Sequence, residues 1–187
     1  MRAGLSATVA VAALGLAACS SDSGDTDPPT GHESQAAAVA WSPCDGLTAR
    51  AASRLVGEEV RQDQGTPEQP RCTFTPARTG GPAYDVSYLW FDGGLDEALD
   101  AMGAVGSQLE PVPIPGADAA RLAVRARKDG VLVTGFVQTG GLVQSVNAVD
   151  LRPYDEDAVV DGTKALLAEL AAQAPQHPTA TEDESAR

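Results

Sequence analysis

The chain contains 187 residues and is strongly acidic, with 26 Asp and Glu against 13 Lys and Arg and a formal net charge of −13. Hydrophobic residues make up 43% of the chain, enough for a folded core, although only 4% of the residues are aromatic. Because nucleic-acid binding depends on Lys and Arg neutralising phosphates, the acidic excess argues against a nucleic-acid partner.

Residues 1–18 have the pattern of a cleaved export signal. Arg2 supplies a charged start, and the apolar run from Leu5 to Ala18 is shorter than the roughly 20 residues of a membrane-spanning helix. The segment Leu16-Ala17-Ala18-Cys19 resembles the lipobox of bacterial lipoproteins. That resemblance implies cleavage before Cys19, acyl chains on Cys19, and a location at the outer face of the cytoplasmic membrane. The alternative is an ordinary secretory peptide with a chance cysteine.

Three segments are expected after the signal. Residues 19–40 carry Ser, Thr, Asp and Pro with almost no bulky apolar side chain, which is typical of a disordered tether. Residues 41–173 hold most of the apolar periodicity and are predicted to form one domain. Residues 174–187 are predicted to form a disordered acidic tail.

In chain order, the domain begins with a predicted helix over Leu47–Val56, for which Asp45 is the expected N-cap. Predicted strands follow at Arg71–Thr75 and Ala83–Phe91. A second helix is expected after Asp92 and before Gly103 or Gly106, and the prolines at 111, 113 and 115 mark a segment that cannot be a central strand.

The C-terminal half is predicted to be an antiparallel meander followed by a helix. Its strands are Ala119–Lys128, Val131–Gln138 and Leu142–Asp150, with turns at Asp129-Gly130 and at Thr139-Gly140-Gly141. The last helix is Asp155–Ala172. The fold class is therefore α+β, with an antiparallel sheet of about five strands packed by N-terminal, middle and C-terminal helices.

Cys44 and Cys72 are the remaining cysteines. An even pair in an exported domain favours a disulfide, which would stabilise the fold by roughly 3–4 kcal/mol through loop closure. A metal site or a reactive thiol is the alternative, which is disfavoured because no histidine is near either cysteine in the sequence.

The composition argues against most catalytic chemistry. His32 lies in the tether and His177 in the tail, so the predicted domain has no histidine for a catalytic triad or a His-ligated metal. The acidic groups at Asp96, Glu97 and Asp100 and at Asp155–Asp161 are explained by solvated helix surfaces and capping. We therefore predict no catalytic residue, no metal and no cofactor.

One strand alternates basic and apolar side chains, which places Arg121, Arg125 and Arg127 on a single sheet face. Pairing across a two-residue turn at Asp129-Gly130 sets Arg127 opposite Leu132, Arg125 opposite Thr134 and Ala123 opposite Phe136. A possible binding strip therefore comprises Arg121, Arg125, Arg127, Leu132 and Phe136. The alternative is an ordinary solvated face whose arginines pair with local acids.

The mature chain resembles small actinobacterial cell-envelope lipoproteins that share a domain of unknown function. The matching segments are the lipobox, Pro43-Cys44-Asp45, Cys72-Thr73-Phe74 and Ile114–Ala120, although Phe74 stands where Trp is frequent. The resemblance implies a fold similar to PsbP-like domains and transfers no catalytic residue.

We therefore expect a membrane-anchored, extracytoplasmic lipoprotein that acts as a non-catalytic binding module of the cell envelope. Its partner would be an envelope protein or an amphipathic or anionic ligand. The alternative is a lipid or glycolipid carrier with an apolar cavity between sheet and helices, and an enzyme is third.

Overall fold

The computed structural model describes residues 41–103 and 108–175. The predicted signal peptide, the acceptor Cys19, the tether, Val105 and the tail from residue 176 lie outside the described residues. The described part is an α+β fold, as the sequence predicted, with one antiparallel sheet of seven strands rather than about five. The helices in this part do not combine the length and apolar character needed to cross a bilayer.

The described residues form three helices of eight residues or fewer, one helix of 17 residues and the strands of the single sheet. In order they are α1 (Pro43–Gly46), α2 (Ala49–Val56), β1 (Val60–Thr66), β2 (Gln69–Pro76), β3 (Ala83–Trp90), α3 (Gly94–Ala101), β4 (Glu110–Pro111), β5 (Ala119–Ala126), β6 (Gly130–Thr139), β7 (Leu142–Leu151) and α4 (Glu156–Ala172).

The predicted N-cap of the first long helix, Asp45, is wrong. Asp45 belongs to the separate helix α1, where its carboxylate accepts the backbone N–H of Ser42 at 2.8 Å, completing a capping box. Helix α2 is instead capped by the Thr48 hydroxyl, which accepts the backbone N–H of Ala51 at 3.3 Å. Gly57 ends α2 in a left-handed conformation with φ of 77°, which glycine adopts without strain.

The strands lie in the order β1-β2-β3-β7-β6-β5-β4, so that β7, the last strand in sequence, is in the middle of the sheet. Two edge strands account for the difference from the predicted count. β1 was not predicted because its residues are mostly polar and exposed, and β4 is a two-residue strand that ends at Pro111. Pro111 is tolerated there because an edge strand leaves backbone positions unpaired.

The predicted register of the β5–β6 hairpin is wrong by two residues. Arg125 pairs with Leu132, Ala123 with Thr134, and Arg121 with Phe136. The cause is the turn, because the N–H of Arg127 donates to the carbonyl of Gly130 at 2.8 Å and the chain reverses at Lys128-Asp129. A shift of two leaves every side chain on its predicted face, since alternate residues of a strand share a face.

Helices α2 and α4 cover one face of the sheet, which we call the helix face. The main core cluster lies between the sheet and these two helices. Phe74, Val86, Val133 and Val146 of the sheet are 0% exposed, and so are Leu166 and Leu167 of α4. The predicted disulfide between Cys44 and Cys72 is confirmed and joins α1 to β2 at this core, with the two Cα atoms 5.2 Å apart.

Candidate functional site: the open face of the sheet

The face opposite the helix face is covered at one end by α3. Leu95 and Leu99 of this helix pack on Phe136 and Val143 in a second, smaller core cluster. The helix begins where the backbone N–H of Leu95 donates to the Gln138 Oε1 atom at 2.8 Å. This end of the second face is therefore a small core rather than an available surface.

Two residues of the predicted strip are used in that packing. Phe136 is 6% exposed beneath α3. Arg121 donates from Nη2 to the Asp96 Oδ1 atom at 2.7 Å, which fastens α3 to β5. Because these groups hold α3, they do not form a continuous binding strip with Arg125 and Arg127.

The rest of the second face has no helix over it in the described ranges, and we call it the open face. Its centre is β7, where Asn147 is exposed and Val149 and Leu151 are 45% and 69% exposed. A middle strand is normally covered on both faces in a three-layer fold or solvated through polar side chains. Here the exposed residues of β7 include two large aliphatic side chains.

Polar side chains next to this centre are held by cross-strand hydrogen bonds. The Thr134 hydroxyl donates to Asn147 Oδ1 at 3.0 Å, and the Thr73 hydroxyl donates to Asp85 Oδ2 at 2.9 Å. These pairs fix the rotamers of groups that still have hydrogen-bonding capacity. The open face therefore presents ordered polar groups beside aliphatic ones.

One end of the open face forms what we call the basic corner, which consists of Arg125, Arg127, Lys128, Arg152, Val149 and Leu151. An open depression of about 250 Å³ lies here, with Arg125 and Arg127 on its walls and Leu132, Val149 and Leu151 among its apolar lining. Within the described residues, no salt bridge pairs any of the four cations with a carboxylate. Two arginines from the predicted strip thus lie together, without Arg121.

Local contacts hold the two loops of the basic corner together. The backbone N–H of Arg152 donates to the carbonyl of Asp129 at 3.2 Å. The Tyr154 hydroxyl donates to the carbonyl of Arg127 at 3.3 Å, and the Arg152 guanidinium lies over the Tyr154 ring at 5.5 Å from its centroid. These contacts bring Arg152 to the hairpin, a proximity that sequence spacing does not reveal.

A separate acidic cluster lies on the helix-face side of the sheet. Burial and the nearby Asp150 carboxylate raise the pKa of Glu58, and burial raises the pKa of Asp150. The Tyr84 side chain is 1% exposed, and its hydroxyl has no hydrogen-bond partner within residues 41–103 and 108–175. Burial, Glu58 and Asp150 all raise the pKa of this hydroxyl, so that it is neutral at physiological pH.

Of the two predicted acidic groups, the one at the start of α4 contains a capping residue. Asp155 caps α4 through its side chain, which accepts the backbone N–H of Ala158 at 3.1 Å. Asp161 lies 4.0 Å from the Lys164 ammonium. Among residues 41–103 and 108–175, no three side chains of His, Cys, Asp or Glu are grouped as metal ligands.

Sequence reasoning missed the residues at the centre of the open face. Asn147 lies between buried Val146 and Ala148, inside a strand that the sequence predicts only as part of the meander. The position of β7 in the middle of the sheet results from its pairing with β3, which is 58 residues away at Ser87 and Ser145. A polar residue inside an apolar strand was the one available indication of an exposed face.

Comparisons with known proteins add little to this description. Neither a protein-family model nor a curated protein matches the chain. A crystal structure of a protein from Bacteroides thetaiotaomicron VPI-5482 is similar to the chain with a TM-score of 0.40 and 7% sequence identity. The match covers 57% of this chain and 40% of the other, and we draw no conclusion about fold or function from a likeness of this size.

Proposed function

We propose that this protein is a membrane-anchored, extracytoplasmic lipoprotein that works as a non-catalytic binding module through the open face of its sheet. The observation that supports this most directly is the exposure of the middle strand, with Val149 at 45% and Leu151 at 69%. Exposed aliphatic groups beside ordered polar groups are typical of surfaces that bind a partner.

The geometry favours a binding module over a lipid carrier. A carrier needs an enclosed apolar space, and the expected position of that space is between the sheet and its helices. That position is filled, because Leu166 and Leu167 of α4 and Val133 and Val146 of the sheet are all 0% exposed in one packed cluster. The described surface depressions lie elsewhere, on loops and at the sheet end.

The membrane anchor is proposed from the lipobox resemblance at Leu16–Cys19. A diacylated Cys19 would hold the domain at the outer face of the cytoplasmic membrane, since two or more acyl chains are needed for stable anchoring. Replacing Cys19 with Ser should move the protein from the membrane fraction to the medium or to the soluble envelope fraction. An unchanged membrane fraction would contradict lipidation.

The binding role is tested by capture from membranes of the native host with the full chain. The Asn147→Lys variant places a long cation at the centre of the open face, and Gln173→Lys makes a matched amide-to-lysine change at the end of α4, on the helix side. We expect the wild type and Gln173→Lys to retain the same bound molecule and Asn147→Lys to lose it. Equal capture by all three proteins would contradict binding through the open face.

A further inference from the structure

We infer that the basic corner docks on the surface of an anionic lipid bilayer. This inference rests on the proposed function, because it assigns a partner to one end of the open face. It does not require the lipid anchor at Cys19. The surface consists of the apolar side chains of Val149 and Leu151 with Arg125 and Arg127 beside them in the depression, and Lys128 and Arg152 lie at the same end of the sheet.

The apolar part of the corner is unusually exposed for this chain. Leu151 and Val149 are the two most exposed large hydrophobic side chains in the described ranges, at 69% and 45%. Both belong to one strand and one face, and Leu151 is the last residue of β7. A leucine that projects at the end of a sheet can enter the headgroup boundary without moving the backbone.

The charges around these residues fit anionic headgroups. The described chain has more acids than bases, yet four cations are brought together here from the hairpin and from the segment that follows β7. Each Lys or Arg near an anionic membrane contributes electrostatic attraction that falls off within a Debye length. An arginine side chain can also lay its aliphatic stem along the apolar surface while its guanidinium reaches phosphate.

The acids nearest the basic corner are Asp129 and Asp150, which both border the depression. Asp129 is an exposed acid of the hairpin itself, whereas Asp150 is 6% exposed and faces the helix side. The acids at the start of α4, Asp155 to Asp157, belong to a helix that packs on the opposite face of the sheet. The acids of α4 therefore lie on the opposite face of the sheet, and those of α3 lie beyond the other end of the open face, where that helix packs on Phe136 and Val143.

The test uses the full chain with Cys19→Ser and an environment-sensitive fluorophore on Leu151→Cys, which leaves the Cys44–Cys72 disulfide intact. The matched label is carried on Arg50→Cys, an exposed position of α2 on the helix side. The probes are phosphatidylcholine vesicles with and without phosphatidylglycerol. We expect a blue shift at position 151 with phosphatidylglycerol vesicles, a loss of this shift at high salt, and little change at position 50.

Charge reversal separates this surface from general adsorption of the apolar N-terminal segment. Arg125→Glu with Arg127→Glu, which reverses the two arginines that line the depression, should lower the partition measured at position 151 by roughly tenfold or more. Arg50→Glu with Arg54→Glu makes the same change of net charge on α2 and should leave the partition unchanged.

The inference is overturned if the label at position 151 responds equally with and without phosphatidylglycerol, or if both double reversals act alike. It is also overturned if that label ignores both vesicle types and shifts with an acidic polypeptide such as poly-glutamate, which would identify a protein partner. The lipid inference alone is overturned if the protein binds neither kind of vesicle but still captures a molecule that Asn147→Lys loses. The proposed binding function then remains in place.

Discussion

The two faces of the same sheet differ in how far their side chains are buried. On the helix face, the side chains of the central strands are fully buried beneath α2 and α4. On the open face, the middle strand β7 leaves Val149 and Leu151 exposed although both neighbouring strands are in place. Because burial of apolar surface is the main stabilising contribution, the helix face accounts for most of the stability, whereas the open face leaves large aliphatic side chains in contact with solvent.

The sharpest test of this difference is a matched pair of leucine truncations. Leu167→Ala on α4 removes a fully buried side chain, which should lower the free energy of unfolding by about 2.7–5 kcal/mol. Leu151→Ala removes a side chain that is 69% exposed and should change it by less than about 0.5 kcal/mol. Urea denaturation followed by circular dichroism measures both values. Similar losses in the two variants would contradict the assignment of the faces.

The disulfide is expected to contribute about as much to the free energy of unfolding as the Leu167 side chain does. Cys44 and Cys72 are 28 residues apart, and removing the crosslink from a loop of this length should cost about 3.5 kcal/mol. Denaturation of the Cys44→Ala, Cys72→Ala double variant under oxidising conditions measures the loss. A midpoint equal to that of the wild type would show that the crosslink is not a source of stability.

A smaller effect is expected from the hydroxyl of Tyr84. This buried group lacks a hydrogen-bond partner in the described part of the chain, so Tyr84→Phe should raise the free energy of unfolding by about 1 kcal/mol. Tyr154→Phe, which removes a hydroxyl that donates to the Arg127 carbonyl, should instead lower it by about 0.5–1 kcal/mol. A destabilised Tyr84→Phe variant would show that the buried hydroxyl has a hydrogen-bond partner in solution.

The smallest predicted effect is a pH dependence that comes from the helix-face acids. Because burial raises the pKa of Asp150 above its usual 3.8, the folded state holds this proton more tightly than the unfolded state. Ionisation of Asp150 therefore reduces stability at neutral pH, and this loss is removed as the pH falls through the raised pKa. Asp150→Asn should be more stable than the wild type at pH 7. The difference should vanish when the pH is below 3.8, the usual pKa of an aspartate.

Urea denaturation across this pH range, compared between the wild type and Asp150→Asn, measures that difference. A difference that grows as the pH falls would contradict the assigned direction of the pKa shift.

The sequence predicted the parts of the fold that depend on local pattern. The amphipathic helix α4 with its Asp155 cap, the Gly140-Gly141 turn and the Cys44–Cys72 pairing all follow from nearby residues or from simple counting. The polar edge strand β1 was missed because it has no apolar alternation from which a strand could be inferred.

The candidate site was predicted only in part, because it depends on contacts between distant segments. The position of β7 beside β3, the packing of α3 on Phe136 and the ion pair between Arg121 and Asp96 all join residues far apart in sequence. The predicted strip identified the arginines on one face, which strand alternation determines. It did not show which of them α3 covers, since that is set by tertiary packing.

The central claim, that the open face is the binding surface, is tested most directly by site-specific photo-cross-linking in the native host. A photoreactive side chain at Asn147 in the full chain samples the centre of the open face, and the same group at Gln173 samples the helix side. The proposed function predicts a discrete cross-linked product from position 147 and none at the same mass from position 173. Equal products from both positions, or a product from position 173 alone, would contradict it.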